Sequence, residues 1–294
     1  MLVFIHSMAN HLSYVRFQYK DWPVKYGLIK KFHFSASSED QIMVLDRSPF
    51  EDDFDHPHPN KTVPLKECKL LVPVEPSKII GIGLNYKDHA IEQGKPFPEV
   101  PLVFLKSLNS LTAAGTKILL NRHCSLVHFE GELAVVISKQ CKNVTEEEAL
   151  NYVAGYTIAN DVTDRRIQKA EATFARAKGM DGFCPLGPFL VHGVDWQGLQ
   201  IKAFVNDELK QNGNTREMIH SVPKLISFVS EFMTLNSGDV IITGTPAGVG
   251  EIKPGDELII GQSSSGQAQS TTGARPAAPG TASPMGGPGG FRRM

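Results

Sequence analysis

His128-Phe-Glu-Gly-Glu-Leu-Ala-Val-Val-Ile-Ser138 is the stretch on which the reading of this chain turns. Its β-branched, apolar run reads as a buried strand, with Glu130 and Glu132 two apart at its head. Residues i and i+2 of a strand point to one face, about 6.6–6.8 Å apart along the chain. Two carboxylates so placed repel each other, so either a positive group lies between them or one holds a proton. A hard divalent cation is the simplest such group, because Mg²⁺, Mn²⁺ and Ca²⁺ favour oxygen ligands. A bare Glu-x-Glu also fits a solvated strand end with no role.

Downstream, Tyr156-Thr-Ile-Ala-Asn-Asp161 is a second apolar stretch that ends in an acid. Paired beside the first strand, it would bring a third carboxylate to the same edge. Three carboxylates with positions left for water and a chelating substrate make a catalytic site rather than a closed cage.

Five motifs then stand in order: Gly83-Leu-Asn-Tyr-Lys-Asp-His89, Glu130-Gly-Glu132 with its apolar tail, Asn160-Asp-Val-Thr-Asp-Arg165, Lys178-Gly-Met-Asp-Gly-Phe-Cys-Pro-Leu-Gly-Pro188 and Gly244-Thr-Pro-Ala-Gly-Val-Gly250. Together, over roughly Ser77 to Gly261, they resemble the fumarylacetoacetate hydrolase family. The resemblance implies an α+β, mostly β fold: a mixed β-roll with peripheral helices. It also implies a small N-terminal β-domain over 1–76, ahead of a catalytic domain over 77–261. Members usually continue past the position of Gly261 into a further strand and a closing segment. Here 262–294 is rich in Gly, Ser, Pro and Ala and reads as a disordered tail, which would leave a sheet edge uncovered.

Composition narrows the classes further. A formal net charge of −1 over 294 residues gives no electrostatic footprint for nucleic acid or an anionic membrane surface. No apolar run approaches the roughly 20 residues of a membrane span. Cys68, Cys124, Cys141 and Cys184 lack Cys-x-x-Cys spacing, which argues against a disulfide framework or thiolate zinc site and for a reducing compartment. A cytoplasmic or mitochondrial, non-secreted protein is therefore expected. Met1–Met8 lacks the basic n-region of a signal peptide.

Along the chain, Tyr14–Tyr19 reads as an edge strand and Gln41–Asp46 as another strand. Ser48–Pro59 carries acids and two histidines, and reads as a polar loop before it reads as a metal site. Gly81 and Gly83 do not make a dinucleotide loop, because Tyr86 holds the third glycine position. In Lys87–Gly94, His89 and Glu92 are three apart and share a face if the turn is helical. Such a pair is either a surface contact or an imidazole oriented as a general base. Thr145-Glu-Glu-Glu148 predicts a capped helix running to about Gly155, Val205–Glu208 a hairpin turn, and Ser221–Met233 an amphipathic helix whose apolar side is Leu225, Ile226, Val229, Phe232 and Met233. The glycines of 244–250 would let backbone N–H groups approach an anion, with the Thr245 hydroxyl as a further donor.

The resemblance assigns roles. Mg²⁺, with Mn²⁺ or Ca²⁺ as alternatives, would sit on Glu130, Glu132 and Asp161. His89, oriented by Glu92, would activate water, and Lys178 would hold developing charge, though it also fits an inert surface residue. Arg165 and Gln168 would bind substrate with Thr245, whereas Arg166 stands where members often carry an acid. The implied activity is hydrolysis of a carbon–carbon bond in an acylpyruvate or related oxo acid by a homodimer. Oxaloacetate decarboxylation and 2-hydroxymuconate-type isomerisation use the same site. Outside enzymes, a non-catalytic metal- or anion-binding protein would need the three acids but not His89, Glu92 and Lys178.

Overall fold

The computed structural model describes residues 2–5, 11–29, 40–51 and 61–264. The middle strands of the main sheet are built from residues that must be dry on both faces. Every residue of Gly131–Ile137 is buried, as a strand covered on two sides requires. Leu133, Val135 and Ile137 face a core that includes Ile80, Ile241, Leu225 and Val229, while Ala134 and Val136 face one that includes Ile242 and Leu186.

That strand lies antiparallel to Val153–Asn160 on one side and to Val240–Ile242 on the other. The sheet continues from Val240–Ile242 to Ile79–Gly83 and ends at Leu102–Lys106. In the other direction it runs through Phe189–His192, Leu12–Tyr19, Lys25–Ile29, Gln41–Val44 and Lys61–Pro64. A second sheet orders Leu2–Ile5, Leu258–Ser264, Leu199–Val205 and Glu208–Asn214, and packs over the head of the Glu-x-Glu strand through Phe129, Ile158, Ala203, Leu258 and Ile260. The result is a mixed, mostly β fold with short helices outside.

Several local expectations change. Tyr14–Tyr19 is an interior strand, flanked by Lys25–Ile29 and Phe189–His192, so the N-terminal strands extend the main sheet. The predicted helix after Thr145 is a single 3-10 turn, Ala149–Tyr152, because Val153 already pairs with Ile137 and leaves no room for more. Strand order passes Gly261 to Ser264, and the parallel strand Leu2–Ile5 covers the edge expected to be open. Residues 52–60 of the polar loop, 6–8 of the N-terminal segment and 265–294 of the tail lie outside the described residues.

The hairpin at Asn206 (φ 50°) and Asp207 (φ 65°) has the two left-handed positions that match strand twist. Ser221 caps the helix Val222–Phe232 by accepting from the Lys224 N–H at 3.2 Å. Its Leu225, Ile226 and Val229 are buried, whereas Phe232 is 54% exposed and meets Phe228 edge-on rather than joining the core.

Phe17 packs with Phe189 and Val191 in one cluster across the boundary between the N-terminal strands and the rest. Phe17→Ala should therefore cost about 3–5 kcal/mol, with thermal unfolding remaining one transition. A separate early melt that leaves the main transition in place would show that the N-terminal strands are independent.

Candidate active site

Strand register assembles the acids. Gly131 pairs with Asn160, and the Asp161 N–H donates to the Glu130 carbonyl at 2.9 Å, so the two strand heads meet edge to edge. Asn160 Oδ1 accepts the Glu130 N–H at 3.0 Å and locks the corner. Glu130, Glu132 and Asp161, all buried, each offer a carboxylate oxygen, and these oxygens lie within 4.8 Å of one another.

Cations surround them. Lys178 Nζ donates to Glu130 Oε2 at 2.7 Å, to Thr163 Oγ1 at 2.8 Å and to Asp161 Oδ2. Lys106 Nζ donates to the other Asp161 oxygen at 2.6 Å. Arg165 pairs with Glu130 Oε1 and donates to Gln168 Oε1 at 2.9 Å. Asp164 positions this arginine: it caps the helix Arg165–Ala170 by accepting the Arg166 and Ile167 N–H groups at 3.0 and 3.2 Å. Arg166 is exposed.

The charges sort unequally. Burial works against ionising Glu130, yet Lys178 and Arg165 overcome it and hold that carboxyl well below the usual carboxylate range. Glu132 moves the other way: burial, then Asp161 and Glu130, push it well above that range. Its one close donor is the Gly244 N–H, at 2.7 Å. Burial likewise works against the Lys178 ammonium, but Asp161 and Glu130 hold it above its ordinary value, so it stays charged. A hard divalent cation fits this donor set. The ligand atoms are all carboxylate oxygens, and the raised Glu132 carboxyl marks negative charge that the lysines and arginine leave uncompensated.

His89 and Glu92 lie on the short helix Lys87–Glu92, entered through Leu84 in the left-handed region (φ 54°), a conformation that costs a non-glycine residue about 1–3 kcal/mol. His89 Nδ1 is 2.8 Å from Glu92 Oε2, and His89 is near enough to Glu130 to act on its charge. Glu92 Oε1 also accepts the Gly248 N–H at 3.0 Å. The glycine-rich loop thus gives N–H groups to two of the protein's own carboxylates, Glu132 and Glu92. The Thr245 hydroxyl donates to the Gly131 carbonyl at 3.0 Å and accepts from Gln211 Nε2 at 2.8 Å. Its one hydroxyl hydrogen is engaged within the protein.

Sequence reasoning missed Lys106, Asp164, Gln211 and Phe104. Phe104 lies beside Lys178, with Nζ 5.1 Å from the ring centroid, and its ring occupies the space above Gly81, where a Cβ would come within 2.2 Å of it. A lysine closing the apolar run Val103-Phe-Leu-Lys106 was the one visible signal among these.

The family profile described as fumarylacetoacetate (FAA) hydrolase, C-terminal, matches residues 78–272, and one described as Rv2993c-like, N-terminal, matches residues 13–73. The chain is 44% identical over 211 residues to the oxaloacetate tautomerase YisK of Bacillus subtilis, covering 67% of this chain and 70% of that protein. It is 45% identical over 196 residues to a 2,4-didehydro-3-deoxy-L-rhamnonate hydrolase of a Sphingomonas species, covering 63% and 69%. Among solved structures, 5-carboxymethyl-2-hydroxymuconate delta-isomerase from Mycobacterium smegmatis superposes with a TM-score of 0.77 at 35% identity, covering 85% of this chain and 94% of that one. With its acid-bearing strands, flanking cations and matched profile in one continuous region, the chain belongs to the fumarylacetoacetate hydrolase family.

Proposed function

We propose that this protein is a divalent-metal-dependent hydrolase that cleaves a carbon–carbon bond in an acylpyruvate or related 1,3-dioxo acid. The observation that carries the proposal is the His89–Glu92 pair, joined at 2.8 Å and near enough to the buried acids to act on the charge of Glu130. Glu130, Glu132 and Asp161 would hold Mg²⁺, or alternatively Mn²⁺ or Ca²⁺, which when bound supplies a Lewis acid for the oxygens of an oxo acid. Glu92 holds the Nδ1 proton of His89, which leaves Nε2 as the basic nitrogen to take a proton from water. That water adds to the carbonyl distal to the carboxylate, and the bond between it and the neighbouring carbon breaks. Lys178 stays an ammonium, so it cannot serve as a base and instead balances charge that develops on the departing fragment. Arg165, held against Gln168, presents a guanidinium to the substrate carboxylate.

Tautomerisation or decarboxylation of oxaloacetate is the second reading, and the name of the Bacillus relative favours it. Those reactions need the same acids and Lys178 but no hydrolytic water.

Purified protein with Mg²⁺ should consume acylpyruvates, read as loss of ultraviolet absorbance with pyruvate formed, and chelator or Glu130→Ala should abolish this. Turnover of oxaloacetate alone would move the assignment to the second reading. His89→Ala should lower kcat by about 10²–10⁴-fold while Mn²⁺ affinity is retained. Full turnover in that variant would remove the water-activation step. Because burial, then Asp161 and Glu130, raise the Glu132 carboxyl and a bound cation favours its ionised form, Mn²⁺ binding should release protons and weaken as pH falls. Calorimetry in buffers of different ionisation enthalpy measures that release, and pH-independent binding would contradict it.

A further inference from the structure

Gln211 is a fully buried glutamine on Glu208–Asn214, a strand of the second sheet, and its side chain reaches across to the main sheet. All of its hydrogen-bonding capacity on that side is used within one small ring of groups. Oε1 accepts the Gly131 N–H at 2.9 Å, and Nε2 donates to Thr245 Oγ1 at 2.8 Å and to the Pro246 carbonyl at 2.9 Å. Thr245 closes the ring by donating to the Gly131 carbonyl at 3.0 Å.

Gly131 is the residue between the two glutamates. The Val240–Ile242 strand runs alongside the Glu-x-Glu strand only up to the Thr243 N–H, which donates to the Leu133 carbonyl at 3.0 Å. Above that point the ladder has no backbone to offer Gly131, and the side chains of Gln211 and Thr245 take its place. The fit is tight: a Cβ on Gly131 would come within 2.9 Å of both Gln211 Oε1 and Ile260 Cγ2, and a Cβ on Gly213, two residues along from Gln211, within 2.2 Å of Pro246 Cβ. The loop that Gln211 grips runs from Gly244, whose N–H holds Glu132, to Gly248, whose N–H holds Glu92.

We propose that Gln211 is a positioning residue that fixes the spacing between the carboxylate cluster and the His89–Glu92 pair, by holding Gly131 on one side and the Thr245–Pro246 peptide on the other. The proposal rests on the functional reading given above for its activity readout, but not for its structural one. An outer hydrogen-bond partner of metal-binding groups is typically worth about 10–100-fold in metal affinity or activity. Gln211→Met keeps the volume and removes all three bonds.

The test uses the full chain. Mn²⁺ affinity is read from the free-ion paramagnetic resonance signal, kcat and KM from the best substrate found, and amide exchange from peptides covering Gly131 and Gly248. Gln211→Met should weaken Mn²⁺ by at least about tenfold and speed exchange at both glycines, with kcat falling more than KM rises. Gln211→Glu retains the acceptor for Gly131 but not the donors to the loop, so it should keep Mn²⁺ affinity and lose kcat, a split that a purely structural residue would not produce. If Gln211→Met does not fold, Thr245→Val removes the two bonds of the Thr245 hydroxyl, to the Gly131 carbonyl and from Gln211 Nε2, and should speed exchange at Gly131. A folded Gln211→Met with unchanged exchange, affinity and kcat overturns the proposal. Wild-type protein that binds no Mn²⁺ would sink the metal reading instead, and unchanged exchange at Gly131 and Gly248 would then still overturn this one.

Discussion

Three buried carboxylates can share one pocket only if positive charge stands between them or one of them takes up a proton. Lys178, Lys106 and Arg165 supply the positive charge here, each from a different element. Lys106 comes from the last strand of the main sheet, Arg165 from a helix capped by Asp164, and Lys178 from the short helix Ala175–Lys178. The fold is arranged so that these elements converge on one corner. Removing any one of them leaves a charge stranded in a medium where an unpaired ion is costly. The unequal response of the acids follows from the same geometry: Glu130 has two cations against it, while Glu132 has a backbone N–H.

The two sheets divide the labour. The main sheet carries the acids and Lys106 and keeps them dry with its buried strands, while two short helices add Arg165 and Lys178. The second sheet adds no acid to the cluster, yet it closes the head of the Glu-x-Glu strand through Phe129, Ile158 and Ile260 and lends Gln211 where the ladder ends. Catalytic geometry in such a fold is a property of the junction rather than of either sheet.

Much of this was legible in the chain because it rests on local rules. The period of two places Glu130 and Glu132 on one side, helical spacing joins His89 to Glu92, and an apolar run ending in an acid delivers Asp161. Lys106 and Gln211 were not legible. Their partners lie 55 and 80 residues away, and nothing near either residue in sequence says where its side chain ends. The bond made by the Thr245 hydroxyl was hidden for the same reason, since its acceptor, the Gly131 carbonyl, lies 114 residues away. The helix foreseen after Thr145 failed for a different reason: a capping signal is a local preference, and strand register at Val153 outweighed it.

The pairing of Leu2–Ile5 with Leu258–Ser264 bears on how the molecule comes together. Leu2 pairs with Ile259, so this edge strand of the second sheet is made long before the partner it needs. Until its partner emerges, that segment has no edge to join, whereas the hairpin Leu199–Asn214 can form as soon as it is synthesised. Loop closure over such a separation is slow, as long-range strand pairing generally is. Leu2–Ile5 is thus the part of the second sheet whose docking waits longest, since it joins only once Leu258–Ser264 is in place.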